Sequence, residues 1–345
     1  MRVVYGVCGE GFGHSSRAKV IVPFLKSRGH DVLVVTYGQA YGILKKEFDV
    51  LRIAGIHLAF EKGRVSLSGT FGNVVGSLAK NVLDWRRIKK RIEEFKPEVA
   101  ISDMEPFVPI LRRLYGLPLI SFDNQHRLTH MDFNVPREYK RDFLLARESV
   151  KKVVGKADYF IFVSFIKEKV RKKNVYVVDP LLRKSVLKLK PRRKDFILVY
   201  QTKKDKNLLK KLERINEKFV VYGYDVSKER GNLSFKKAGE GFINDLTDCK
   251  GVIASAGFMA ISEALYLKKP YYAIPLKGQF EQTFNALILK KKGYGDFSEE
   301  PSVENLERFL GDLEKYEKNL KDYKINSREA LEVLGKVLEK LERKM

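Results

Sequence analysis

Cysteine is nearly absent from this chain: only Cys8 and Cys249 occur, far apart in sequence. So sparse a set excludes a disulfide framework, and with no secretory context both thiols read as reduced in a cytosolic protein. Long hydrophobic runs are also lacking. No apolar stretch reaches the ~20 residues of a membrane span, and Met1 leads straight into a strand-like segment, so no signal peptide is expected. Negative charge is scarce relative to positive, with 43 Asp and Glu against 67 Lys and Arg, a net charge of +24. An excess of that size points to anionic partners: nucleic acid, acidic lipid headgroups or phosphorylated substrates. A heat-adapted surface rich in Lys and Glu explains a high charged fraction, but not the excess of one sign.

What is present is enough for two ordinary domains: 345 residues, 44% of them hydrophobic. The first half alternates strand-like and helix-like segments. Arg2–Val7, Asp31–Thr36, Val99–Ser102, Leu119–Phe122, Tyr159–Val163 and Val175–Val178 read as strands. Ser15–Arg28 reads as a helix stopped by Gly29 and kinked by Pro23, and Ile88–Phe95 as the end of another. A basic, proline-containing stretch, Leu182–Arg193, reads as a linker. A second series follows at Phe196–Tyr200, Phe219–Tyr222, Gly251–Ala254 and Tyr271–Ile274, and the tail after Pro301 is helical and highly charged. Alternation at this spacing implies an α/β protein with two Rossmann-like, doubly wound parallel sheets. The expected domains are 1–185 and 194–325, with 326–345 a helix packing back on the first.

Three glycines alternate in VCGEGFGHSSR, residues 7–17, directly after the first strand. A dinucleotide loop has Gly-x-Gly-x-x-Gly and an acidic residue ending the second strand. Here His14 takes the third glycine position and the second strand ends at Thr36-Tyr37. Glu10 would repel a pyrophosphate. The loop places a flexible backbone at Gly11 and Gly13, and an imidazole, at the carboxyl edge of a parallel sheet, where ligands bind in such folds. Ser15 or Ser16 is expected to cap the next helix, whose N-terminus favours a neutral His14. A glycine-rich turn with an incidental histidine explains the stretch equally well.

The stretch from Ser255 to Gly295 says more. A strand, VIASAG, opens into a helix near Phe258. Gly257 permits close ligand approach, and the free N–H groups of Phe258, Met259 and Ala260 make an anion site. Glu263 stands about one turn in, suited to a ribose diol. Beyond the strand YYAIP, Gln279, Glu281, Gln282 and Asn285 are groups suited to sugar hydroxyls. Gly257, Ala260, Glu263-Ala264-Leu265, Pro270, Pro275, Glu281-Gln282 and Asn285-Ala286 resemble the donor-binding pattern of GT-B glycosyltransferases. Gly241–Leu246, with Phe242 and Ile243, resembles the turn that reads uracil through backbone groups, and VCGEGFGH resembles the glycine loop of the MurG-type branch. The likeness spans nearly the whole chain and is nearest to uncharacterised archaeal glycosyltransferases with GxGxGHxxR starts. The chain departs from the pattern after the first strand of the second domain, where Gln201-Thr202-Lys203-Lys204 replaces a glycine-rich turn and Thr202 or a lysine would hold phosphate. Phe258 and Met259 are also bulkier than usual.

The resemblance implies two domains facing a cleft. It also implies an inverting, metal-independent transfer of a hexosyl or N-acetylhexosaminyl group from a nucleotide sugar, UDP by expectation, to an acceptor hydroxyl. No cofactor or metal is expected, and no Asp-x-Asp motif occurs. His14 would be the base. Asp103 or Glu105 would orient it, although a helix-capping Asp103 is the plainer reading. Asn124, Gln125 and His126 follow the strand LISF at the same edge and read as acceptor-side groups. His126 and His130 lie four apart with Asp132 nearby, but no third ligand spacing supports a metal. Trp85 beside Arg86, Arg87, Lys89, Lys90 and Arg91, after the small-residue stretch 71–79, reads as a membrane contact or as a solvated helix face. Because MurG-type relatives act on lipid-linked acceptors, the expectation is a cytoplasmic enzyme peripheral to the membrane's inner face. A nucleotide-sugar 2-epimerase of the same fold and a nucleic-acid-binding protein are the rival readings. No RNA-binding signature is visible.

Overall fold

The computed structural model describes residues 1–55, 59–61, 64–66, 76, 79–168, 170, 172–202, 204–237 and 239–345. Most of the small-residue stretch 71–79, and Lys203, lie outside them. The chain forms two compact units, Met1–Leu181 with Asn326–Met345, and Leu182–Ile325.

The first unit holds β1 (Arg2–Val7), β2 (Asp31–Thr36), β3 (Val50–Arg52), the hairpin β4 (Ala59–Glu61) and β5 (Arg64–Ser66), then β6 (Val99–Asp103), β7 (Leu119–Asp123), β8 (Tyr159–Val163) and β9 (Val175–Val178). Seven of these form one sheet in the order β3-β2-β1-β6-β7-β8-β9, every pair parallel. Strands covered on both faces read as continuous apolar runs rather than alternating ones, and Val3, Val4, Tyr5, Leu33, Val34, Val35, Ala100 and Ile101 are all fully buried.

The second unit holds β10 (Ile197–Tyr200), β11 (Phe219–Tyr222), β12 (Lys228–Arg230), β13 (Leu233–Phe235), β14 (Gly251–Ser255), β15 (Tyr271–Ile274) and β16 (Gly295–Phe297). Their order is β12-β13-β11-β10-β14-β15-β16. Only the edge pair β12–β13 is antiparallel. In both sheets the order reverses beside the first strand of the unit, the switch point at which open parallel sheets bind ligands beyond the strands' carboxyl ends.

Six helices matter below: α1 (Phe12–Ser27), α2 (Trp85–Phe95), α3 (Val108–Tyr115), α4 (Phe258–Tyr266), α5 (Phe280–Lys291) and α6 (Glu329–Glu342). α1 begins three residues before the expected Ser15 and runs through Pro23 without a break. Neither Ser15 nor Ser16 caps it. The N-cap is Gly11, at φ 76°, with no side-chain cap, and a left-handed conformation of this kind favours glycine. Ser15 Oγ instead donates to Phe12 O at 3.1 Å.

The expected linker is ordered. Leu182 and Val186 are buried, Lys184–Leu187 is a helical turn, and Arg192 pairs with Asp248 at 2.6 Å. Its three arginines meet carboxylates of the second unit, Arg183 with Glu263, Arg192 with Asp248 and Arg193 with Glu317. α6 buries Ala330, Leu334, Val337, Leu338 and Leu341 against β8, β9 and α1 of the first unit.

Candidate active site

In the first unit the site grows from the β1–β6 pairing, which sets Val7 beside Asp103. The chain leaves β1 through Gly9, whose place a Cβ could not share with the Tyr37 ring. Part of the glycine spacing therefore serves internal packing. Gly11 then turns the chain into α1, whose first turn carries Gly13 and His14. His14 Nδ1 lies 2.8 Å from Asp103 Oδ1.

Arg17, on the same face of α1 at i+3, closes the group. Its Nε donates to Asp103 Oδ2 at 2.8 Å and its Nη2 to Asp103 Oδ1 at 2.7 Å. Nη2 also lies 3.1 Å from His14 Nδ1 and donates to Asn124 Oδ1 at 3.3 Å. Asp103 is fully buried, Arg17 is 2% exposed and His14 is 13% exposed. Burial pushes the Asp103 carboxyl up, but Arg17, then His14, outweigh it and hold it below its ordinary range.

Of the two carboxylates offered by the sequence, Glu105 does not reach His14. Met104 takes a left-handed conformation, φ 53°, and the Glu105 oxygens accept from the backbone N–H groups of Phe107 and Val108, both at 2.9 Å. Glu105 thus closes the start of α3, and burial pushes its carboxyl up to about 7.

The acceptor-side trio divides. Gln125 is half-buried, while Asn124 and His126 are buried. His126 is 2% exposed, with Nδ1 on Asp123 Oδ2 at 2.7 Å and its backbone N–H donating to Asp123 Oδ1 at 2.8 Å. The Asp123-x-x-His126 turn folds the imidazole inward, so His126 is an interior group and not an exposed one. The His126 pair outweighs burial and lowers Asp123 to about 2.

In the second unit, β14 delivers Gly257 as the N-cap of α4, with no side-chain cap. The first N–H groups of Phe258, Met259 and Ala260 have no acceptor within the helix. Glu263 is buried one turn in, and both its oxygens are taken by Arg183, from Nε at 2.6 Å and Nη2 at 2.5 Å. Sequence reasoning gave Arg183 no role. A basic residue in a linker-like stretch carries no signal of its partner.

At the end of β10, Thr202 Oγ1 donates to Ser255 Oγ at 3.2 Å, and the buried Gln201 amide nitrogen has no hydrogen-bond partner among the described residues. Phe242 is half-buried with Ile243 and meets the Tyr200 and Tyr222 rings edge-on at 5.4 and 5.2 Å. Gln279 and Gln282 bond to each other, Nε2 of Gln282 to Oε1 of Gln279 at 2.7 Å. Glu281 stands in the first turn of α5. Asn285 is fully buried, and its amide donates to Ala256 O at 2.9 Å. It braces the turn before α4 and is not free for a sugar hydroxyl.

The profile of glycosyl transferase family 1 matches residues 1–314. The chain belongs to that family. An uncharacterized glycosyltransferase of Methanosarcina mazei is 25% identical to this glycosyltransferase over 338 residues, 88% of each chain. A Bacillus cereus protein named UDP-N-acetylglucosamine--N-acetylmuramyl-(pentapeptide) pyrophosphoryl-undecaprenol N-acetylglucosamine transferase 3 is 29% identical over 110 residues, 29% of this chain and 31% of its own. Among solved structures, the glycotransferase of kitacinnamycin matches at a TM-score of 0.72 with 12% identity, covering 100% of this chain and 99% of its own. The glycosyltransferase therefore has the GT-B fold that its motifs resemble.

Proposed function

We propose that the chain is an inverting glycosyltransferase that moves a hexosyl or N-acetylhexosaminyl group from a UDP-type nucleotide sugar to an acceptor hydroxyl. The observation that carries this reading is the 2.8 Å contact of His14 with Asp103 at the carboxyl edge of the first sheet. In this reaction His14 takes the acceptor hydroxyl's proton as the oxygen attacks the anomeric carbon. The bond from that carbon to the diphosphate breaks on the opposite face. The departing nucleoside diphosphate keeps the electron pair, and the N–H groups at the start of α4 meet its charge. Gly257, Thr202, Phe242, Ile243, Glu263, Gln279, Glu281 and Gln282 are the donor-side groups in this reading, and the half-buried Gln125 is an acceptor-side group. No step is assigned to a metal or a cofactor.

Replacing His14 by Ala is expected to lower turnover about a hundredfold or more, with UDP binding by calorimetry nearly unchanged. Unchanged turnover removes His14 from the reaction. Saturable UDP binding also separates this reading from a nucleic-acid-binding one, whose hallmark is affinity falling steeply with salt.

The acceptor we infer is lipid-linked, supported by the pyrophosphoryl-undecaprenol acceptor in the name of the Bacillus relative. The surface around α2 differs from the one expected of the sequence. Trp85 is not a free anchor, because it packs edge-on against Phe107 at 6.5 Å. Four of the five cations of α2 carry ion pairs: Arg87 with Asp84, Lys89 with Glu93, Lys90 with Glu94 and Arg91 with Asp49. What faces outward is Val82 and Leu83, 73% and 83% exposed. Among the described residues no helix is long and apolar enough to cross a membrane, so attachment would be at the interface. Vesicle co-sedimentation tests it. Binding to anionic vesicles that is reduced in a Val82→Ser, Leu83→Ser double variant is expected, and equal sedimentation of both proteins points to a soluble acceptor.

A further inference from the structure

Arg17 is a guanidinium buried far more deeply than surface binding requires, and its position fixes what His14 can do. Both donor edges of its fork meet Asp103, at 2.7 and 2.8 Å, in a site where the carboxylate is fully buried. A buried carboxylate without a partner is costly and takes up a proton instead. A fully bound Arg–carboxylate fork keeps it ionised, and the guanidinium itself is always charged.

An ionised carboxylate only accepts. At 2.8 Å from Asp103 Oδ1, His14 Nδ1 must therefore carry the hydrogen. The approach of Arg17 Nη2 to the same nitrogen, 3.1 Å, is then a meeting of two donors and not a hydrogen bond. Asn124 Oδ1, 3.3 Å from Nη2, holds the fork from the side.

We infer that Arg17 is a positioning residue: by holding Asp103 as an acceptor it selects the Nδ1–H tautomer of His14 and keeps the Nε2 lone pair free as the base. This rests on the proposed role of His14, but the tautomer can be read without any turnover.

The chain has five histidines, so the His14 ring is identified in 15N-histidine spectra by the signals lost in His14→Ala. In the wild type the neutral His14 ring is expected in the Nδ1–H form. The Nε2–H form there overturns the inference without any Arg17 variant. In Arg17→Met, Asp103 loses the fork that keeps it ionised and is expected to take up a proton, which shifts the His14 ring from the Nδ1–H towards the Nε2–H form. Arg17→Lys, which restores charge without the fork, is expected to reverse most of that shift. An unchanged Nδ1–H tautomer in a folded Arg17→Met protein overturns the inference. If the tautomer result holds while His14→Ala keeps full turnover, the base assignment fails and the role of Arg17 in the tautomer stands.

Discussion

Single residues in this protein divide into groups poised for chemistry and groups that only balance charge, and partners decide which is which. Glu263 sits in the second class until a ligand arrives, because Arg183 binds both its oxygens. Each oxygen has further lone pairs, so a ribose diol can share the carboxylate. Glu263→Ala is expected to weaken UDP binding about tenfold, the scale of one hydrogen bond to a charged group. Gln282→Ala is expected to weaken the nucleotide sugar and spare UDP. Calorimetry with both ligands checks this, and equal loss of both ligands in both variants contradicts the division. His130 gives a stability prediction. Burial, then the neighbouring His126, lowers it from 6.5 to about 4. The fold therefore favours the neutral ring, and this contribution is complete above pH 6.5 and lost as pH falls through about 4. His130→Gln is expected to flatten that part of the curve of unfolding midpoint against pH, and an identical slope between pH 4 and 6.5 refutes it. The choice between Asp103 and Glu105 was not legible in the sequence. They are two residues apart on one strand end, and only the left-handed turn at Met104 sends Glu105 to α3 and leaves Asp103 to His14.

Among the elements, strands were the easiest to read. Parallel strands buried on both faces must be apolar throughout, and DVLVVT or VVYGV has no other stable use in a chain this charged. Helix starts were harder. α1 takes in Phe12 and Gly13 despite glycine's cost of about 1 kcal/mol in a helix, because Gly11 and the packing of Gly9 on Tyr37 set its entry. The helix that follows β14 yields a sharper test. Gly257 has φ −69°, which any residue can adopt, and a Cβ there meets nothing within 4 Å. Internal packing does not demand glycine at this position, whereas an approaching diphosphate would. Gly257→Ala is expected to leave the melting temperature within a degree or two and to weaken UDP binding at least severalfold. A large loss of stability with unchanged binding would make Gly257 structural.

At the scale of the molecule, the chain returns at its end to the unit in which it began. α6 buries Leu334, Val337, Leu338 and Leu341 against β8, β9 and α1. Arg28 also pairs with Glu339 at 2.9 Å. Each fully buried aliphatic side chain contributes about 1.5–3 kcal/mol, so deleting 326–345 is expected to lower the melting temperature strongly or prevent folding of the first unit. A truncated protein with the wild-type melting temperature would contradict that packing. The sequence by itself determined the α/β class, the two parallel sheets, the glycine-led start of α4, and the family, because these follow from local periodicity and from motifs whose spacing is read along the chain. Only the tertiary structure decided that Asp103 pairs with His14, that Arg17 and Arg183 hold the two key carboxylates, that Asn285 and His126 are interior braces, and that the cations of α2 are largely neutralised. Each of those depends on which side chain comes within about 3 Å of a charged or polar atom far away in sequence, and neither residue type nor spacing carries that distance.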